Sequence, residues 1–526
     1  MDLQSFIFEQ KPTRKQLLDY KSTVEKRFKV CVYRNHSFEF VENTISAYLD
    51  YAGIGVDFVY SDYDDSLTFL SIPDDSDMII LWLDISRYKN ENVSDFINTR
   101  LKYLSEIFAK PILFVPFGKD IVIDNKYVVI YSMEDIQKEL GNKMVDLRME
   151  PFTGTKMSAS AVSMAARQLG LVYIPALLMP SLKAVVVDLD NTLYKGVLGE
   201  DRFDGIELTD GHKLLQEKLH QLSQQGYFIC VASKNDERDV LELFEKRNDF
   251  PLKKEDLSKL CVSWESKASS IGEIAAYLNI GVDSILFIDD NYGEINSVCV
   301  QFPSIHTIRA YDDAELTLKV LESFPRMKKF GEQREDNLRK NDIIANEKRR
   351  ILKETLSGDE YIKSLGMKLT YSVDCNENAS RVAELANKTN QFIFNYKRYT
   401  LSEIEEMIKS DNACVISISL SDNLSDSGII GVCCAKSIDN IVKIEECYVS
   451  CRALGRGIDE CIVLGAIKIA CDKFSCNKVN VCFKKGERNL PAENFVTKNF
   501  GSAEKIEVNG FSYDFPDNII DINIKE

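Results

Sequence analysis

At 526 residues with a net charge of −17, the chain is long enough for about three ordinary domains. It is too acidic for its main surface to be built for duplex nucleic acid or polyphosphate. Its 14 cysteines are scattered without a CxxC pair, which fits neither a zinc site nor a disulfide framework and points to a reducing, cytoplasmic setting.

Met1 to Lys15 mixes apolar and charged residues and lacks the basic start and apolar stretch of a secretion signal. No run of about 20 apolar residues reads as a membrane span, so no membrane partner is expected. Short apolar runs at Phe28 to Tyr33, Met78 to Leu83, Pro111 to Phe117 and Tyr127 to Tyr131 predict buried strands. Helical patterns such as Glu42 to Tyr51 separate them, so residues 1–175 read as an α/β domain.

A second α/β domain, 180–320, starts with Lys183 to Asp188 and continues through Tyr227 to Ala232 and Ser284 to Ile288, each run entering a polar turn. Residues 321–360 are dense in Lys, Arg, Glu and Asn and read as an exposed helical linker, whose basic stripe from Arg326 to Arg350 is solvated or docks an acidic partner. Residues 361–526 alternate strands (Ala413 to Ser419, Ile429 to Ala435, Val442 to Val449, Lys478 to Cys482) with helices such as Gly457 to Phe474, an α+β domain.

The chemistry concentrates in the middle domain. Ala184-Val-Val-Val-Asp188-Leu-Asp190-Asn-Thr192 is a buried strand that delivers two carboxylates, two residues apart, to the C-terminal sheet edge where open α/β sheets bind ligands. Two carboxylates held together need a cation or a shared proton, and Mg²⁺ takes oxygen ligands of this kind. The next strand ends in Ser233-Lys-Asn235; Lys267 follows; and a further strand ends in Asp289-Asp290-Asn291. A lone DLDNT could be a strand end and turn, but four pieces in this order point to one site.

This order resembles the four motifs of the haloacid dehalogenase (HAD) phosphatases. The resemblance implies that Asp188 is the nucleophile, Asp190 the general acid and base, and Ser233, Asn235 and Lys267 the phosphate-binding groups. Mg²⁺ would be held by Asp188, Asp190 (through its backbone carbonyl), Asp290 and Asp289. Few residues separate Thr192 from Ser233, which leaves little room for a lid domain.

Tyr194-Lys-Gly196-Val-Leu-Gly199-Glu200-Asp201, with Ser233-Lys-Asn-Asp236-Glu237, is similar to the FkbH-like family of HAD subclass IIIC; Tyr194 stands where that family usually has Trp. The resemblance implies three parts: an SGNH-like flavodoxin-type domain, a HAD Rossmann-like parallel sheet and a GNAT-like α+β domain. It also implies an activity, transfer of a glyceryl group from 1,3-bisphosphoglycerate, or a related phosphorylated molecule, to the phosphopantetheine of an acyl carrier protein, as in polyketide or secondary-metabolite assembly.

Ser450-Cys451-Arg452-Ala-Leu-Gly455-Arg456-Gly457 opens a helix and matches the R/QxxGxG/A loop of GNAT acyltransferases, so Arg452, Gly455, Arg456 and Gly457 are expected to receive the pyrophosphate of CoA or the pantetheine arm. Asn489-Leu-Pro-Ala492-Glu-Asn-Phe495 and Phe500-Gly501 resemble further segments of that fold. Cys451, just before a helix N-terminus and beside Arg452, is expected to carry the acyl group as a thioester, against the alternative of a small buried residue. Thr389-Asn390-Gln391-Phe392 and Arg398-Tyr399-Thr400 also resemble the FkbH-like family and are expected to wall a pocket. The first domain lacks the Ser, Asn and His turns of an SGNH hydrolase, since Arg34-Asn-His36-Ser37, Leu83-Asp84 and Asp146 to Met149 stand in their places; it is expected to be non-catalytic. The competing reading of the whole chain is a HAD phosphatase whose flanking domains only bind a phosphorylated, carrier-borne or other substrate.

Overall fold

The computed structural model describes residues 2–525 except 90, 91, 109, 126, 127, 331–333, 357, 390, 451, 452, 455, 487, 488 and 502–504. The chain is multidomain α/β and divides into two compact units, residues 1–331 and 332–526.

The first unit holds two parallel sheets. One consists of β1 (Arg27–Arg34), β2 (Gly55–Tyr60), β3 (Met78–Asp84), β4 (Ile112–Phe117) and β5 (Val129–Ile130) in the order β2-β1-β3-β4-β5. That is the flavodoxin-type order, which reverses between β1 and β3. Every residue of β3 is buried because alternate side chains enter different layers. Met78, Ile80 and Trp82 pack in the core of helices Glu39–Tyr51 and Ala159–Gln168. Ile79, Leu81 and Leu83 pack with Ile97, Leu101 and Leu104 of helix Val93–Ile107. Contrary to the expectation from sequence, the run Ala159–Leu178 is long and apolar enough to cross a membrane by length and composition; here Ala161, Ala165, Leu169 and Ile174 lie in this core.

The second sheet consists of β6 (Ala184–Val187), β7 (Phe228–Ser233), β8 (Leu257–Val262), β9 (Ile285–Asp289) and β10 (His306–Arg309), in the order β10-β9-β6-β7-β8. The order reverses between β6 and β9, the crevice at which such sheets bind ligands. Between β6 and β7 the chain forms only a turn, the kinked helical stretch Leu198–Gly205 and helix Asp210–Gln224; no lid domain is inserted. The two sheets share a buried cluster, with the Tyr51 and Phe324 rings 5.8 Å apart and the Gln4 side chain donating to the Arg309 carbonyl.

The second unit is built on a seven-stranded sheet of β11 (Lys368–Val373), β12 (Ala413–Ser421), β13 (Asp426–Ile438), β14 (Ile441–Val449), β15 (Lys478–Cys482), β16 (Lys505–Asn509) and β17 (Asp521–Lys525). The order is β16-β15-β14-β13-β12-β11-β17. β14 pairs with β15 in parallel only through Val442, Lys443 and Ile444, so the end of β14 diverges from its neighbour.

The basic stretch read as an exposed linker is different in structure. Helix Arg334–Thr355 carries Asp342 and Arg349, both buried: Arg349 pairs with Asp342 at 3.0 Å and with Asp422 at 2.8 Å. Arg326 is buried too, donating to the carbonyls of Pro180 and Asp283. Arg326 and Arg349 thus satisfy buried oxygens, while Lys348 and Arg350 of the same stretch are exposed.

Candidate active site

β6 and its neighbours β7 and β9 end at one edge because they are parallel. Asp188 leaves β6 with its backbone N–H bonded to the Ile288 carbonyl of β9 and its side chain only 9% exposed. The Ser233 hydroxyl, at the end of β7, donates to Asp188 Oδ1 at 2.7 Å. Lys267, the first residue of helix Lys267–Leu278, places Nζ 2.6 Å from Asp188 Oδ2 and 2.6 Å from Asp289 Oδ2. Burial works to lower the Lys267 pKa, and the Asp188 and Asp289 charges outweigh it and hold it above the usual lysine value.

Carboxylates outnumber cations in this edge. Ligand oxygens of Asp188, Asp289 and Asp290 all lie within 4.8 Å of one another. Burial, reinforced by the Asp188 charge, pushes Asp289 up to about 6 and raises Asp290 as well. A hard divalent cation relieves such crowding with oxygen donors, so the residues fit Mg²⁺. Asp289 already accepts from Lys267 and from the Asn291 N–H, which leaves it beside the cluster's ligands rather than foremost among them.

Asp190 stands apart from this cluster. Its Oδ1 accepts from the Tyr194 hydroxyl at 2.7 Å and the Leu198 N–H at 3.0 Å, and its Oδ2 from the Asn235 amide at 3.0 Å. The carboxylate is therefore held as a separate group, and a metal role for Asp190 is confined to its backbone carbonyl. Asn235 also reaches the Ser233 hydroxyl at 3.1 Å, so it orients both groups rather than only binding phosphate. Tyr194, fully buried, is a partner of Asp190 that the sequence marked only as an aromatic exchange.

The corresponding edge of the first sheet is closed. The His36 ring stacks on Trp82 and Phe117, with Nδ1 2.9 Å from the Thr155 hydroxyl, and burial pushes it down to about 3. Ser37 donates to the Thr153 carbonyl at 2.6 Å, so no serine–histidine pair forms. Buried Asp84 is met by Lys156 at 3.1 Å, Arg87 at 3.3 Å and the Ser86 hydroxyl at 2.6 Å.

In the second unit Cys451, Arg452, Gly455 and Asn390 lie outside the described residues. Arg456 corrects the expectation of a pyrophosphate ligand: it is 4% exposed and its guanidinium sits 2.6 Å from Asp342 Oδ2, turned into the buried ion network. Gly457 takes φ +79°, a turn before helix Asp459–Lys473 that a side chain would strain. The diverging edge of β14 is covered by the chain itself. The Val449 N–H donates to the Phe392 carbonyl, and the Lys484 N–H beyond β15 donates to the Phe394 carbonyl. Buried Glu446 accepts from the N–H groups of Phe394, Asn395, Lys397 and Cys447. A glutamate inside an apolar strand is the sequence signal for this strap, which runs between the two segments expected to wall a pocket.

No family model and no curated protein sequence matches the chain. Among solved structures, the N-terminal part of the protein BF1531 from Bacteroides fragilis, containing a phosphatase domain complexed with Mg, aligns over 61% of this chain and 98% of its own at 20% identity, with a TM-score of 0.48. An acetyltransferase of the GNAT family from Streptococcus pneumoniae aligns over 25% of this chain and 83% of its own at 17% identity, TM-score 0.20. A spermidine N-acetyltransferase from Vibrio cholerae aligns over 22% and 68% at 14% identity, TM-score 0.17. These likenesses are of low score, and the chemistry of this chain is set by its own residues.

Proposed function

We propose that the first unit is a Mg²⁺-dependent phosphatase of the HAD type, and that the chain uses it on 1,3-bisphosphoglycerate while passing the glyceryl group through a Cys451 thioester to the phosphopantetheine thiol of an acyl carrier protein. The observation that carries the phosphatase is Asp188 held between the Ser233 hydroxyl and Lys267, with a separately bonded Asp190 two residues away. An Asp188 oxygen attacks phosphorus as the bond to the leaving oxygen breaks, and Asp190 supplies that oxygen with a proton. Water then attacks the aspartyl phosphate, Asp190 takes its proton, and phosphate leaves with Asp188 restored. Ser233 and Lys267 meet the charge on the transferring group. Asp188, Asp290 and the Asp190 carbonyl would hold Mg²⁺, which when bound offsets negative charge on the phosphoryl oxygens.

The acyl half of the reading rests on sequence alone. The Cys451 thiolate would attack the acyl-phosphate carbon and expel phosphate, and the carrier thiol would then displace Cys451 from the thioester. Mass spectrometry of the intact protein with Mg²⁺ and 1,3-bisphosphoglycerate tests it. A glyceryl adduct on the wild type that is absent from Cys451→Ala supports the thioester, whereas phosphate release with no adduct in either contradicts it. The second reading, a phosphatase with flanking binding modules, is favoured by two observations: the edge of β14 is already strapped and Arg456 is already paired.

A further inference from the structure

Lys234 and Glu294 form an ion pair at 2.5 Å that none of the proposed chemistry uses. Its two ends come from opposite sides of the nucleophile strand. Lys234 follows β7 directly, and Glu294 lies in the first turn of helix Tyr292–Gln301, which follows β9. Since β7 and β9 flank β6, the pair runs across the C-terminal end of the strand that presents Asp188.

Both ends are tied to the site. Lys234 sits between Ser233 and Asn235, whose side chains bond Asp188 and Asp190. Glu294 is four residues beyond Asp290, and its N–H bonds the Asn291 side chain that caps the helix. The cation already inside, Lys267, is 5% exposed and spent on two carboxylates, while Lys234 is 38% exposed and has Glu294 as its counter-charge.

A partly exposed ion pair is held only weakly against water, so it exchanges readily. Glu294 keeps the favourable N-terminal end of its helix when Lys234 turns away. We propose that Lys234 is a specificity-determining residue that leaves Glu294 to bind a second anionic group of the substrate, so that the site selects phosphate esters bearing a further carboxylate or phosphate close by. This rests on the reading of Asp188 as a phosphoryl site. Ser233 and Lys267 serve the reacting phosphate; Lys234 serves the other anion.

The test is a binding titration of the full chain with Ca²⁺ in place of Mg²⁺, so that the site is charged but the probes are not turned over, using 3-phosphoglycerate and glycerol 3-phosphate, which differ in a carboxylate against an alcohol. The wild type is expected to prefer 3-phosphoglycerate by about tenfold, the size of a charge-assisted hydrogen bond. Lys234→Gln should bring the two affinities together, and Glu294→Gln, which removes the competing carboxylate, should widen the preference. A preference unchanged in Lys234→Gln, or narrowed in Glu294→Gln, overturns the proposal and leaves the pair a structural clamp. Because the titration reads binding, it stands apart from turnover; failure of both probes to bind the wild type would sink the phosphoryl-site reading itself.

Discussion

Two sheet edges in the first unit have the same architecture and opposite electrostatics. At the end of β3, Asp84 is met by Lys156, Arg87 and Ser86, and Arg87 is met in turn by Glu150, so the charges close on themselves. At the ends of β6 and β9, Asp188 and Asp289 share Lys267 with Asp290 close by, and the group retains an excess of negative charge. A parallel-sheet switch point offers a place for a ligand, but only the unbalanced edge has a reason to take one.

The comparison is broken most directly by paired substitutions. Asp188→Asn should lower the rate of p-nitrophenyl phosphate hydrolysis by about a thousandfold or more, because the covalent intermediate is lost. Asp84→Ala should leave that rate within about twofold. It should instead cost on the order of 1–3 kcal/mol of stability, since the hydrogen bonds to buried Asp84 are lost while partly exposed Lys156 and Arg87 can turn to water. A rate loss in Asp84→Ala would erase the distinction between the edges.

Mg²⁺ sharpens it. The cation should stabilise the wild type by about 2.7 kcal/mol at a hundred times its dissociation constant. Asp290→Ala should lose most of that gain in thermal melts, while Asp84→Ala should keep it.

The smallest effect is a pH response of the closed edge. Burial pushes the folded-state pKa of His36 down to about 3 against the ordinary 6.5 of histidine, so as pH falls the unfolded chain binds the proton first. Its contribution is intact above about pH 6.5 and is lost progressively toward pH 3, about 2 kcal/mol by pH 5. Urea unfolding followed by the fluorescence of buried Trp82 should show that slope reduced in His36→Gln.

What was legible in the sequence follows from the range of the interactions. Three of the four segments of the site, those of Asp188, Ser233 and Asp289, each end an apolar run, and a buried parallel strand writes such a run plainly, as Met78 to Leu83 does for β3. β2, β8 and β10 escaped the reading because their burial is partial and their residues mixed, as in Leu-Ser-Lys-Leu-Cys-Val of β8. The helix Arg334–Thr355 read as solvated because Arg349 finds Asp422 73 residues away and Asp342 finds Arg456 114 residues away, distances no local pattern encodes. Tyr194 was noticed for its ring, whereas its hydroxyl is what meets Asp190.

Trapping the phosphoenzyme tests the account most directly. The protein is incubated with Mg²⁺ and acetyl phosphate, as wild type, Asp190→Asn and Asp188→Asn, and its mass is read intact and after proteolysis. A phosphoryl adduct on the Asp188 peptide, accumulating in Asp190→Asn and absent from Asp188→Asn, is the predicted result. Phosphate release that persists in Asp188→Asn, or an adduct elsewhere in the chain, would contradict it.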